Sequence, residues 1–230
     1  MTSKERVHKA IRRESVDRVP IFMWFHPDTA KIMAAELGIQ PGDVSFAFGD
    51  DVRQAWVGNN YAMEGIVHEH DGEGHTDQWG IGWEKSGPFN QITSEPLIRA
   101  TPEEVHAYEY PYEASDELLS NMDPVMAEAE DYFVGCDVSP CCHEMVSRVR
   151  GMERAIMDLA ADPELADFMT GEAARFAKHM SELAVSKLAL DWLWTGDDIA
   201  SQRGMIMSPE MWREAIRPHL QTVMDVGKDA

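Results

Sequence analysis

The sequence predicts an α/β fold with parallel core strands, and three observations carry that prediction. Three runs, "VPIFMWF" at Val19 to Phe25, "YFVGCDVS" at Tyr132 to Ser139 and "LDWLWTG" at Leu190 to Gly196, read as core strands, the first of them apolar on both faces as expected of a strand covered on both sides. Helical patterns separate them; from Pro163 to about Leu188, Leu165, Phe168, Met169, Phe176, Met180 and Leu183 recur at three and four residues, a stripe that belongs to core packing. Each core run ends in polar residues: His26, Cys136 with Asp137, and Asp197 with Asp198. In parallel α/β folds, sites form at the carboxyl ends of the strands.

The elements follow in order. "TSKE" at Thr2 to Glu5 fits a capping box, and Val7, Ala10 and Ile11 give the short helix after it an apolar stripe. After the first core run, a helix is expected from Pro27 to Leu37, closed by Gly38. From Asp50 to Ala100, "VRQAWVG", "EGIVHEHDG", "TDQWGIGWEK" and "QITSEPLIRA" are short β-prone runs between Gly-rich turns, and the whole stretch reads as a hairpin elaboration. "TPEE" at Thr101 to Glu104 is a second capping box with Pro at the first helical position. "ELLSNMDPVMAEAE" reads as a helix interrupted near Pro124, "RGMERAIMDLA" as another, and Ser208 caps a final helix through about Val226. We read residues 1–230 as one domain, without internal repeats or low-complexity segments.

Composition bounds the function. A hydrophobic content of 44%, with 7 Trp and 15 Met, is ample for a core, while the formal net charge of -21 argues against nucleic acid and anionic membrane surfaces as partners. A small-molecule substrate is the expected partner. The N-terminal "MTSKERVHKAIRRE" is charged throughout, no segment reaches the roughly 18 continuous apolar residues of a membrane span, and a cytoplasmic location is expected. The three cysteines, Cys136, Cys141 and Cys142, are expected to be thiols, because an odd count in such a chain builds no disulfide framework.

The adjacent acids Asp197 and Asp198 are the main catalytic candidates: like charges in a cleft can raise one pKa and provide a proton donor. The plainer reading makes Asp198 a turn cap and leaves Asp197 in water. In "HEHDGEGH", His68, His70 and His75 match no closed zinc pattern, and a polar hairpin tip is the favoured reading. "CDVSPCCH", with Cys136, Cys141, Cys142 and His143, lacks a CxxC arrangement, so buried small thiols are favoured over a metal site. Gly-rich phosphate fingerprints are absent.

Four blocks together, "ERVHKAIRRESVDRVPIFMW", "TDQWGIGWE" with "EPLIRATPEE", "RGMERAIMDLAADPELADFM" and "TGDDIASQRGMIMSPEMWREAIRPHL", resemble the uroporphyrinogen decarboxylase superfamily, in order from Glu5 to Leu220. The resemblance implies a (β/α)8 TIM barrel and one of two chemistries: decarboxylation of uroporphyrinogen, or zinc-dependent methyl transfer among methylated small molecules, corrinoid (cobalamin) proteins and thiols. The decarboxylases carry an Arg-rich "RQAGR" segment after their first strand, whereas "FHPDTA" here has no Arg, and the last block looks like the methyltransferase-type members. A complete barrel takes about 250 residues, so this chain, with a hairpin insertion at about 50–100, is expected to hold an incomplete, N-terminal part of it. The His-x-Cys zinc motif and later Cys of methyltransferase-type members do not occur, so no metal ligand is assigned. The resemblance gives Asp197 and Asp198 catalytic roles, with His26, Asp137 and Gln202 at the substrate. A bend at Gly196 is expected to turn Asp198 inward while Asp197 caps the loop "IASQRG". A decarboxylase and a noncatalytic binding subunit remain open alternatives, and a homo-oligomer is allowed.

Overall fold

Eight strands are described in the computed structural model, which describes residues 1–59 and 68–230. They are β1 (Val52–Trp56), β2 (Gly74–Thr76), β3 (Gly82–Ser86), β4 (Phe89–Ser94), β5 (Phe133–Asp137), β6 (Trp192–Trp194), β7 (Ala200–Ser201) and β8 (Gly204–Met205). β1, β5 and β6 form a parallel sheet in the order β1-β5-β6, β2 to β4 form an antiparallel meander, and β7 pairs with β8. The fold is therefore α/β with a parallel central sheet, and its described strands form an open sheet rather than a closed eight-stranded barrel.

Alternation along the central strands divides the sheet into two faces. Ala55, Val134, Cys136 and Leu193 join the main core, against Met145, Val146 and Val149 of the His143–Arg150 helix and the stripe Leu165, Met169, Phe176, Met180 of the Pro163–Lys187 helix. The opposite face carries two rows in register: Gln54, Gly135 and Trp192, then Trp56, Asp137 and Trp194 at the carboxyl ends. Gly135 must be glycine here, because a Cβ would lie 1.7 Å from Trp192 Nε1. At the other end of this face, Val7 of α1 (Ser3–Ile11) packs against Val52, Phe133 and Trp192. Fully buried Asp51 anchors α1, accepting from Arg6 Nη1 at 2.6 Å, Arg18 Nη1 at 2.6 Å, Ser3 Oγ at 2.8 Å and the Ile21 amide at 2.8 Å.

Both expected capping boxes form, at Thr2 with Glu5 and at Thr101 with Glu104, and α2 (Pro27–Leu37) ends at Gly38 with φ 69°. Two expectations are corrected. Val19–Phe25 is not a strand: it is extended without a ladder and reaches the sheet through the Asp51 amide donating to Ile21 O at 2.7 Å. Its apolar residues do not mark a doubly covered strand, since Val19 is 78% exposed and Phe22 and Trp24 lie across the open face, edge-on to Trp192 and Trp56. Conversely, "VRQAWVG" is not part of a hairpin but contains β1. Its polar Gln54 faces the open side, and Arg53 is held by Glu128 at 2.9 Å and Asp50 at 3.2 Å while its guanidinium lies over Phe46.

The expected hairpins survive as β2 to β4, whereas residues 64–67 of "EGIVHEHDG" lie outside the described residues. The segment around Pro124 is broken into short α and 3-10 turns. Ser208 caps the last helical region, accepting from the Met211 amide at 3.1 Å, but Trp212–Ile216 forms a π-helical stretch before Arg217–Asp229. Pro218 accounts for that stretch: it has no N–H to give and its ring crowds the preceding turn, so the helix widens there.

Candidate functional site

The open face of the sheet ends in a cleft of about 330 Å³. Phe22, Trp24, Trp56 and Trp194 supply its aromatic surfaces, and Asp137, Glu144, Asp197 and Asp198 its carboxyl groups. Its placement follows from topology: Trp56, Asp137 and Trp194 terminate three adjacent parallel strands in one row, and the chain after β6 carries the two later acids past the start of the His143–Arg150 helix.

Asp137 is 1% exposed. Its Oδ1 accepts from the Ser139 amide at 2.9 Å and Ser139 Oγ at 2.5 Å, and its Oδ2 accepts from Gln54 Nε2 at 3.1 Å. Burial outweighs these bonds and pushes its pKa up to about 6. Gln54 Oε1 is buried beside it without a hydrogen-bond partner.

Asp197 serves a helix. Its Oδ1 accepts from the Glu144 amide at 2.7 Å and its Oδ2 from the His143 amide at 3.1 Å, capping the His143–Arg150 helix where orphan donors and the positive end of the dipole favour an anion. Burial nevertheless pushes its pKa up to about 6, against those backbone bonds. Glu144 accepts from Arg148 Nη2 at 2.7 Å and from the Asp198 amide at 3.3 Å, and Arg148 also donates to Asn59 O and Oδ1. The Asp198 carboxylate is exposed at the cleft.

The structure thus brings Asp137, Asp197 and Asp198 together along one cleft. Asp197 caps the His143–Arg150 helix, where the sequence reading had it cap "IASQRG". His26 and Gln202 lie elsewhere. His26 is the N-cap of α2, its Nδ1 accepting from the Asp28 amide at 3.3 Å and its ring 5.4 Å from Phe89, while Gln202 sits in the exposed turn between β7 and β8. Gln54, Glu144, Arg148 and the aromatic residues were not singled out from the sequence. The alternation in "VRQAW" was the available signal for Gln54 and Trp56.

The thiols lie on the helix-covered side. Cys136, Cys141 and Cys142 are fully buried; Cys141 Sγ points to Gly196 O at 3.5 Å, burial pushes Cys136 up to about 12, and the bond to Cys141 together with burial raises Cys142. Among the described residues no group of three or more His, Cys, Asp or Glu is placed to hold a metal ion, so these residues do not fit zinc. His68 and His75 meet at 2.8 Å between ring nitrogens, away from the cleft. No helix among the described residues is long and apolar enough to cross a membrane.

The sequence matches no protein-family model and no curated protein. Among solved structures, the fold is similar to that of a methyltransferase from Methanosarcina mazei, with a TM-score of 0.69 and 14% sequence identity over 99% of this chain and 67% of that chain.

Proposed function

We propose that this cleft binds a methylated small molecule and passes its methyl group to a nucleophile, as in the methyltransferase-type members of the uroporphyrinogen decarboxylase superfamily. The supporting observation is a buried carboxyl with a pKa near 6, Asp137, at the carboxyl end of the central strand and beside a cleft, in a fold similar to a methyltransferase. In such a transfer the bond from methyl carbon to heteroatom breaks, its electron pair stays on the heteroatom, and a new bond forms from the nucleophile to carbon. A leaving ether oxygen would take a proton from Asp137; a leaving ammonium nitrogen becomes a neutral amine and needs only a nearby counter-charge until then.

The acceptor, a reduced corrinoid on a partner protein or a thiolate, would come from outside the described residues. Zinc belongs to the family resemblance, but the residues described here do not fit it, and no step is drawn through it. Decarboxylation of uroporphyrinogen finds less support, because the one guanidinium lining the cleft among the described residues, Arg148, is already engaged by Glu144.

The test is incubation with reduced cobalamin and a panel of methyl ethers, methylamines and methyl thioethers, following methylcobalamin by its absorbance. Methylation is expected with at least one donor class, slowed about tenfold or more by Asp137→Asn. No methylation with any donor, or an unchanged rate in the variant, overturns the reading.

A further inference from the structure

We infer that the methyl donor is a methylated ammonium ion, held by the aromatic surfaces of the cleft and balanced by its carboxylates. The inference rests on the methyl-transfer reading of the same site and names its substrate class.

The four aromatic residues are otherwise hard to explain. Phe22, Trp24 and Trp194 are 47%, 44% and 47% exposed, large apolar groups left open around a cavity rather than packed into the core. Trp24 stands edge-on to Trp56 at 6.1 Å, Phe22 to Trp192 at 5.9 Å and Trp192 to Trp194 at 5.6 Å, so neighbouring rings are steeply inclined to one another rather than stacked. A flat hydrophobic ligand would not need acids beside them. Among the described residues the cleft carries four carboxyl groups and one cationic side chain, Arg148, which is bridged to Glu144 at 2.7 Å, and this leaves the surroundings anionic.

A methylated ammonium, in its quaternary form, satisfies both features. It spreads positive charge over methyl groups, is attracted to the faces of Trp and Phe rings, and without an N–H it makes no demand for a hydrogen-bond acceptor. Asp137, in the row between Trp56 and Trp194, is the buried counter-charge, and Asp198 is the exposed one. The volume of about 330 Å³ is at the lower end for ligand pockets, consistent with a small ion. Reaction balances without an added acid: the nucleophile, a thiolate or reduced corrinoid, attacks one methyl carbon, the C–N bond breaks with its pair on nitrogen, and a neutral amine departs.

The test is calorimetric titration of the intact chain with tetramethylammonium, with choline, and with 3,3-dimethylbutan-1-ol, the neutral isostere of choline. Both cations are expected to bind, and the alcohol to bind about tenfold more weakly or worse, matching about 1.4 kcal/mol of charge-dependent attraction. Trp24→Ala and Trp194→Ala should each weaken choline about fivefold, Trp194→Phe should restore most of the loss, and Asp137→Asn should weaken choline but not the alcohol. Circular dichroism establishes that each variant is folded. Equal binding of choline and the alcohol, indifference to both Trp substitutions in folded variants, or no binding of either cation overturns the inference. Transfer from a methyl ether with no choline binding would remove the ammonium site and leave methyl transfer standing; choline binding without transfer to any acceptor would do the reverse.

Discussion

Asp137 is the residue on which the site turns, and its titration has a definite sign. Its folded pKa of about 6 lies above the ordinary value of 3.8, so between those pH values the native state binds more protons than the unfolded chain. Stability contributed by this group is present at low pH and falls as pH rises from about 4 to about 6. Asp197 acts in the same direction over the same window. Asp137→Asn should therefore flatten the pH dependence of urea unfolding in that range and leave stability at pH 7 no lower than in the parent. The new amide can be accepted if Gln54 turns its unpartnered Oε1 toward it. A marked loss at pH 7 would mean that Asp137 is principally structural. The cysteines give a separate residue-scale prediction: Cys136, Cys141 and Cys142, fully buried and with Cys136 and Cys142 shifted away from thiolate formation, should resist a thiol reagent in the native protein and all react in urea.

Among the elements, the His143–Arg150 helix depends on a residue some fifty positions away. Asp197→Ala removes acceptors from the His143 and Glu144 amides and should cost about 1–2 kcal/mol, visible as a lower thermal midpoint, whereas Asp197→Asn should cost less. β5 depends on Gly135 in a similar way: Gly135→Ala forces a carbon into the Trp192 indole and should destabilise by about 1–3 kcal/mol or more. Capping boxes at Thr2 and Thr101 and the Gly38 stop were legible because their chemistry spans four residues or fewer. The two misread segments failed for one reason. Val19–Phe25 and "VRQAW" border an open face, so the usual links from apolar to covered and from polar to peripheral are reversed there. No local pattern announces that one sheet face will hold a cleft.

For the whole molecule, the three acids were legible as strand-end residues, but their convergence is a property of register. Trp56, Asp137 and Trp194 are far apart in sequence and meet because β1, β5 and β6 lie parallel in that order. The aromatic surface was invisible for the same reason, since Phe22 and Trp24 looked like core. His26 and Gln202 illustrate the limit from the other side: one follows an apolar run and the other lies in the expected loop "IASQRG", yet one caps a helix and the other occupies an exposed turn away from the cleft. A formal net charge of -21 adds a long-range preference for cations over anions, which should weaken with salt. The most direct test of the account is transfer of a ¹³C-labelled methyl group, followed by NMR, from tetramethylammonium and from a labelled methyl ether to reduced cobalamin or a thiol, in the parent and in Asp137→Asn. The account predicts label on the acceptor from tetramethylammonium, at a rate about tenfold or more lower in the variant because the carboxylate that balances the cation is gone; label that never leaves either donor, or that moves equally fast in the variant, would contradict it.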